Sequence, residues 1–202
     1  MKKSTFVVLF VLVGALSIFA QSKAVKVTAL KRGKVQLTRG AVKSILDLSK
    51  DVSGCIVVYD RGDPKAGRMD TTTFAKMDES VKGGKTYLLL SSEINSGCNV
   101  SGQCGAATDL TVVWLQLNSR LQIEKKKAVV VQSCFWGDIN MIDENGDEGG
   151  DLKLNKGKLW VKFEENRFKD DLEYSVTELT YDHANAEKGL VVKTEKPPRP
   201  AN

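Results

Sequence analysis

The residues most suited to chemistry form the acidic segment DENGDEGGD, residues 143–151, which follows the apolar stretch VVVQSCFWGDINMI. Oxygen ligands at alternate positions, with glycine near the centre, are typical of calcium loops. Counting from the first residue places Asp143, Asn145, Asp147 and Asp151 at loop positions 1, 3, 5 and 9. These four residues are the candidate metal ligands of the chain.

Two features of this segment depart from the EF-hand calcium motif. Position 6, where glycine normally makes the sharp turn, is Glu148, and position 12, normally a bidentate glutamate, is Leu154. The flanking residues also alternate as in strands, whereas the motif requires helices. We therefore interpret the segment as a polar hairpin connection, with calcium binding as the alternative. No other cofactor is predicted.

The four cysteines, Cys55, Cys98, Cys104 and Cys134, are best explained as two disulfide bonds. An even number of cysteines in an exported chain is typical of such pairing. A zinc site is less well supported, because Cys98 and Cys104 are spaced more widely than zinc-ligand pairs. Nearby glycines favour a Cys98–Cys104 bond, which leaves Cys55 to pair with Cys134, whereas a Cys104–Cys134 bond is the competing arrangement.

His183 is the only histidine and gives little support for an enzyme. Adjacent residues of a strand point to opposite faces, so Asp182 is poorly placed to orient the imidazole. The sequence contains no G-x-S-x-G, H-E-x-x-H or glycine-rich phosphate motif. Paired carboxylates can hydrolyse glycosidic bonds, but acidic residues are spread along the chain and no pair stands out.

Three tryptophans, Trp114, Trp136 and Trp160, are candidates for lining a carbohydrate or peptide groove. Ordinary packing in a core or at a sheet edge is the simpler interpretation, since aromatic rings contribute large buried areas. The residue type alone therefore does not identify a binding surface.

The N-terminal residues 1–20 have the organisation of a secretory signal peptide: two lysines, an uncharged apolar run and then small residues. The apolar run is shorter than the roughly 20 residues that a membrane span requires, which favours cleavage over anchoring. Cleavage is expected after Ala20, with Ser17 as the alternative. No cysteine lies near this position to carry a lipid. We expect a secreted or periplasmic protein without a stable membrane anchor after processing.

Removal of residues 1–20 leaves 28 basic and 25 acidic side chains, a net charge of +3. Proteins that bind nucleic acid usually show a clustered basic face, and this mild excess does not predict one. A nucleic-acid partner is therefore not expected.

Short apolar runs rich in valine, leucine and tyrosine predict a mainly β protein. The runs occupy residues 54–60, 85–94, 110–117 and 127–135. Alternating apolar residues about polar turns predict hairpins in residues 24–38, 115–123 and 152–163. Two last strands are expected within residues 171–182 and 189–195.

The hairpin in residues 152–163 allows its faces to be assigned. Side chains alternate along a strand, so Leu159, Val161 and Phe163 are expected to share one face. Trp160 is expected on the opposite face. Two short helices are also predicted. Residues 40–50 place apolar side chains near helical spacing, and residues 70–84 combine an N-terminal aspartate with a glycine stop.

Together these patterns predict a single β-rich domain over residues 21–193. The expected fold is an antiparallel β-sandwich or open barrel built of meanders and hairpins, with one or two short helices. Residues 194–202, which contain three prolines, are expected to be a disordered tail. The predicted function is a non-enzymatic binding or interaction protein with an unknown protein or carbohydrate partner. The alternative is a hydrolase of an extracellular polymer that uses paired carboxylates.

Overall fold

Antiparallel strands make up most of the computed structural model, which describes residues 24–52, 72–95, 108–133, 138–142, 152–167 and 173–196. The first sheet contains β1 (Lys26–Ala29), β2 (Lys34–Arg39) and β3 (Val42–Asp47). The middle sheet contains β4 (Thr73–Lys82), β5 (Lys85–Asn95), β6 (Thr108–Leu117) and β7 (Ile123–Gln132). The third sheet contains β8 (Asp138–Ile142), β9 (Lys158–Arg167), β10 (Glu173–Asp182) and β11 (Val191–Glu195), in the order β11-β10-β9-β8. The predicted mainly β, antiparallel fold class is confirmed.

The middle sheet is buried on both of its faces. One face packs against the first sheet in what we call the first core, whose buried members include Val25, Val35, Leu37, Leu46, Leu48, Leu88, Leu90, Val113, Leu115 and Leu117. The other face packs against the third sheet in the second core, whose buried members include Tyr87, Leu89, Val112, Trp114, Met141, Leu159, Val161, Phe163, Leu179 and Tyr181. Successive side chains of β5 and β6 therefore enter alternate cores, which explains their continuous apolar sequence.

The predicted hairpins in residues 24–38 and 115–123 are confirmed as β1–β2 and β6–β7. In residues 152–163 the turn is confirmed, with a bridge between Asn155 and Lys158, but residues 152–154 form no strand. Positive φ angles at Arg32 and Gly33 (60° and 65°) lie between β1 and β2. In the turn between β6 and β7, Oδ1 of Asn118 accepts hydrogen bonds from the amides of Arg120 and Gln122, at 2.9 and 3.0 Å. The third hairpin turn, at the start of β9, has positive φ at Lys156 and Gly157 (49° and 76°), as a type I′ turn requires.

The assignment of faces in β9 is also confirmed. Leu159, Val161 and Phe163 are buried in the second core, and Trp160 is exposed on the opposite face. The last strand, β11, extends to Glu195. Residues 197–202 lie outside the part of the chain that the structure describes.

The two predicted helices are wrong, because both segments contain strands. Residues 40–50 contain β3. Leu46 in this strand and Leu48 just after it are buried, while Ile45 is 62% exposed, which indicates a period of two residues. Residues 70–84 contain β4, where Phe74 packs against the first core and Met77 against the second. Their separation by three residues resembles helical spacing, although each side chain serves a different core. The one helical element of the described residues is a kinked 3₁₀ segment, His183–Lys188, between β10 and β11.

A β-bulge at Met77 changes the direction of the side chains that follow it in β4. Beyond the bulge, Asp78 points toward the third sheet, where Tyr181 donates a hydrogen bond to it. Glu79 points toward the first sheet, where it pairs with Arg39 at 2.9 Å. Two adjacent carboxylates of one strand thereby contact both outer sheets.

No helix in the described ranges is long and apolar enough to cross a membrane.

Candidate functional site

The outer face of the third sheet carries an exposed tryptophan. Trp160 of β9 is 46% exposed, whereas its neighbours Leu159 and Val161 are buried in the second core. Trp160 lies opposite Thr180 of β10, and Thr180 lies opposite Val191 of β11, which is 44% exposed. Trp160, Thr180 and Val191 therefore form a strip across three adjacent strands, which we call the Trp160 strip.

A hydrogen bond holds the indole ring in place. Nε1 of Trp160 donates to Oε1 of Glu178 at 2.7 Å. Glu178 lies two residues before Thr180 on β10, so it is the diagonal cross-strand neighbour of the tryptophan. Because the only polar group of the indole is already bonded, a ligand would contact the ring through its apolar surface.

A shallow groove of about 340 Å³ lies beside the Trp160 strip, between the strip and the 3₁₀ segment. Its lining includes Lys158, Trp160, Thr180, Asp182, Lys188 and Val191. The volume lies at the lower end of the range that small-molecule sites occupy. The groove can therefore hold one sugar-sized group.

Asp182 in this groove serves as the cap of the 3₁₀ segment. Its Oδ1 accepts a hydrogen bond from the Ala184 amide, and its Oδ2 accepts one from Nδ2 of Asn185, both at 3.0 Å. The hydrogen bonds from Asn185 and Ala184, assisted by the charges of Lys158 and Lys188, hold the pKa of Asp182 below its usual value. A catalytic general acid requires the opposite shift, so Asp182 is not suited to that role.

Two lysines of the groove have no such internal bonds. Lys158 at the start of β9 and Lys188 at the end of the 3₁₀ segment are both exposed. Within the described ranges, neither ammonium group makes a side-chain hydrogen bond or an ion pair. Each acts on Asp182 only through its charge. Both cations are therefore available to a ligand.

The second core positions the 3₁₀ wall of the groove from below. Nε1 of buried Trp114 donates to the carbonyl of Ala186 at 2.9 Å. The indole of Trp114 stacks with Tyr87, with ring centroids 6.2 Å apart. Gly189 has φ of 69°, and a Cβ atom there would lie 3.0 Å from the Trp114 ring. Glycine is therefore required for both the backbone conformation and the close approach.

His183 is bound to a carboxylate that sequence reasoning did not identify. Nδ1 of His183 lies 2.7 Å from Oδ2 of Asp78, which also accepts a hydrogen bond from the Tyr181 hydroxyl at 2.6 Å. An ionised carboxylate only accepts hydrogen bonds, so Nδ1 carries the proton. As predicted, Asp182 does not orient the ring. Asp78 does so from another sheet, 105 residues away, and no local sequence signal links the two residues.

The Asp78–His183 pair resembles the orienting half of a catalytic triad. Within the described ranges, however, no serine, threonine or cysteine side chain is hydrogen-bonded to the His183 ring. The same ranges contain no group of three or more histidine, cysteine, aspartate or glutamate side chains that could hold a metal ion. Here the pair attaches the 3₁₀ segment to β4.

Several predicted site residues lie outside the described residues. These are the candidate calcium ligands Asp143, Asn145, Asp147 and Asp151, the cysteines Cys55, Cys98, Cys104 and Cys134, and Trp136. Of the predicted candidates, the structure therefore places Trp114, Trp160 and His183. Trp114 is buried below the groove, Trp160 lies at its rim, and His183 begins its 3₁₀ wall.

No family model, curated protein or solved structure matches this chain. Its function is therefore inferred from the chemistry of its own surface.

Proposed function

We propose that this protein is an exported, non-enzymatic binding protein that holds an extracellular carbohydrate on the outer face of its third sheet. The observation that carries the proposal is the exposed indole of Trp160, whose N–H is already bonded to Glu178. The C–H groups of a pyranose ring pack well on such an apolar aromatic surface. The groove beside the ring offers polar partners for the sugar hydroxyls.

A carbohydrate suits this face better than a large protein partner. Specific protein interfaces bury about 800 Å² on each partner and have an apolar centre. Within the described part of this face, Trp160 and Val191 are the large apolar side chains that are clearly exposed. One aromatic ring with polar surroundings matches a small, rigid ligand.

A binding role is favoured over hydrolysis by the state of Asp182 in the groove and of Glu178 beside it. Hydrogen bonds hold the pKa of Asp182 low, and Glu178 is bonded to Trp160. Glycoside hydrolysis needs one carboxylic acid with a raised pKa and a second free carboxylate. Asp182, the carboxylate that lines the groove, does not meet the first requirement.

Affinity electrophoresis through gels that contain soluble polysaccharides tests the proposal. The wild-type protein should be retarded by at least one polysaccharide, and Trp160→Ala should migrate as in an empty gel. Ile45→Ala, which removes an exposed apolar side chain from the first sheet, is the matched control and should keep the retardation. Equal mobility of wild type and Trp160→Ala in every gel would contradict the proposal. Release of reducing sugar from a bound polymer would favour the hydrolase.

The export component is supported by the N-terminal sequence alone and has its own tests. The exported protein should begin near Gln21, as measured by intact mass. Thiol labelling of the denatured, unreduced protein should find no free cysteine. The acidic segment is proposed as a polar connection, so millimolar calcium should leave the melting temperature unchanged. A rise that Asp143→Ala with Asp147→Ala abolishes would establish the calcium site instead.

A further inference from the structure

We infer that the carbohydrate is anionic, with a sugar ring stacked on Trp160 and a carboxylate or sulfate group held between Lys158 and Lys188. This inference rests on the proposed function and names the ligand class of the same groove. Uronic acids and sulfated sugars both supply the required chemistry, which is an anion attached to a ring with an apolar C–H face.

The charges around the Trp160 strip favour an anion. Two residues before Trp160 on β9 is Lys158, which lies opposite Asp182. Two residues after Trp160 is Lys162, which forms a row across three strands with Glu178 and Lys193. Lys188 of the 3₁₀ segment adds a fourth ammonium beside the strip. Four cations and two carboxylates therefore surround the exposed ring.

Hydrogen bonds within the protein increase the excess of positive charge that a ligand would meet. Both carboxylates accept hydrogen bonds from the protein itself, Asp182 from Ala184 and Asn185, and Glu178 from Trp160. A sugar hydroxyl would have to compete with those donors. The ammonium groups of Lys158 and Lys188 each keep several donor hydrogens for a ligand.

The charge also varies along the same face in a way that orients the ligand. Beyond the row of Lys162, Glu178 and Lys193, the next strand position carries Glu164 and Glu195 on either side of Val176. The end of the face near the groove is therefore basic and the far end is acidic. An anionic group is attracted to the groove end and repelled from the other, which fixes its direction on the ring.

An acidic peptide is the competing partner, and it would not need to contact the Trp160 ring. A peptide carboxylate could pair with the lysines without stacking on the indole. The exposed ring, whose N–H is bonded to Glu178, adds little to such a contact but is central to a sugar. The two partners are therefore separated by the effect of removing the ring.

Affinity electrophoresis with pairs of matched polymers tests the inference. Polygalacturonate and its fully methyl-esterified form share one backbone and differ in carboxylate charge, while dextran sulfate and dextran differ in sulfate charge. Poly-L-glutamate is the acidic peptide probe. We expect retardation by one or both anionic polysaccharides, weak or no retardation by their neutral forms, and weaker retardation by poly-L-glutamate. Raising sodium chloride from about 50 to about 500 mM should weaken the binding, because exposed charges are screened.

Three variants complete the experiment. Lys158→Gln combined with Lys188→Gln should weaken binding about tenfold, as expected for two exposed ionic contacts. Lys43→Gln, which removes an exposed lysine from β3 of the first sheet, is the matched control and should bind as wild type. Trp160→Ala should abolish binding, and Trp160→Phe, which keeps an aromatic ring in the strand, should retain part of it.

The outcomes separate this inference from the proposed function. If neutral and anionic polysaccharides retard the protein equally, or if the double lysine variant binds as wild type, the anionic ligand is wrong while carbohydrate binding stands. If poly-L-glutamate binds as strongly as the polysaccharides, or if Trp160→Ala binds as wild type, the partner is a polyanion recognised by charge alone and the inference fails. If no polysaccharide is bound, the proposed function itself fails.

Discussion

The two cores on either side of the middle sheet are built from different side chains. All buried members of the first core are valine, leucine or isoleucine. The second core includes four aromatic residues. Of these, Trp114 donates a hydrogen bond to the Ala186 carbonyl, and Tyr181 donates one to Asp78. Aliphatic packing excludes water and tolerates many arrangements, whereas an aromatic ring with a bonded polar group specifies a position. The first core therefore stabilises the fold, and the second also places the wall of the groove.

The edge strand β4 contacts both outer sheets through its adjacent carboxylates, Asp78 and Glu79. Glu79 accepts hydrogen bonds from the amide of Val25 and from Arg39 and Lys76, all on the first side. Asp78 accepts its hydrogen bonds from residues of the second side. Glu79 and Asp78 therefore attach opposite outer layers to β4, and the two carboxylates can be removed separately.

The largest expected effect is the loss of a leucine side chain from either core. Leu89 and Leu90 are adjacent in β5, both fully buried, and belong to the second and first core respectively. Leu89→Ala and Leu90→Ala should each reduce the free energy of unfolding by about 2–5 kcal/mol, measured by urea denaturation. Because the middle sheet is shared, both variants should unfold in a single transition. Two separate transitions in Leu90→Ala would show that the cores are independent.

A smaller and more local effect is expected from Trp114→Phe. The substitution removes the indole donor from the Ala186 carbonyl, which keeps only the Gly189 amide at 3.2 Å, and it reduces packing on Gly189. Stability should therefore fall by about 1–3 kcal/mol. Amide hydrogen exchange should increase in residues 183–189, and polysaccharide binding should weaken. Trp160→Phe on the exposed face is the control, with a change within about 0.5 kcal/mol. Unchanged exchange in the 3₁₀ segment would contradict the positioning role of the second core.

Glu79→Gln tests the attachment of the first sheet through acid stability. Partial burial raises the pKa of Glu79, but hydrogen bonds from Lys76, Val25 and Arg39 outweigh it, so the pKa lies below its usual value. The stability that this group contributes is therefore present above its unfolded pKa of about 4.3 and is lost as the pH falls through the lower folded value.

At neutral pH, Glu79→Gln should cost about 1–2 kcal/mol, and its stability should depend less on pH in the acid range. Urea denaturation between neutral pH and about pH 3 provides the measurement. Glu93→Gln, an exposed carboxylate of β5, is the control. A constant difference between Glu79→Gln and wild type over this range would mean that Glu79 does not titrate with folding.

The smallest effect is expected from Tyr181→Phe, which tests the third sheet at the alkaline end. Burial, and then the hydrogen bond to Asp78, raise the pKa of Tyr181 well above its usual range. Its contribution is fully present below the unfolded pKa of about 10 and is lost as the pH rises toward the folded value. At neutral pH the variant should lose about 1 kcal/mol. The difference from wild type should shrink between about pH 8 and about pH 11, and a constant difference would contradict the assignment.

The hairpin turns and the faces of β9 were predictable because the information is local. Asn118 supplies its own turn hydrogen bonds, and the turn at Lys156 and Gly157 is followed by strict alternation in β9. Alternation alone placed Trp160 opposite the buried residues of its strand. Alternation did not reveal the neighbouring strands. Thr180 and Val191 lie beside Trp160 only because of the strand order and register of the sheet.

The strands β3 and β4 were mistaken for helices for two physical reasons. In β3, two exposed apolar residues, Val42 and Ile45, add to the buried Leu46 and produce a helical spacing. In β4, the bulge at Met77 interrupts the alternation and directs apolar residues to both cores. The Asp78–His183 pair was unpredictable on the same grounds, since the bulge determines the direction of Asp78 and the sheet packing supplies its partner.

Burial of the middle sheet on both faces also has a consequence for how the chain is made. Synthesis from the N-terminus delivers the first and middle sheets before residues 138–195 of the third. Until those residues arrive, one face of the middle sheet lacks its cover, which exposes Leu89, Val112, Trp114 and Val131. Incomplete chains with exposed apolar strands associate readily with one another. A nascent chain that pauses after β7 is therefore the aggregation-prone form of this protein, and a holdase chaperone that covers this face should increase its yield.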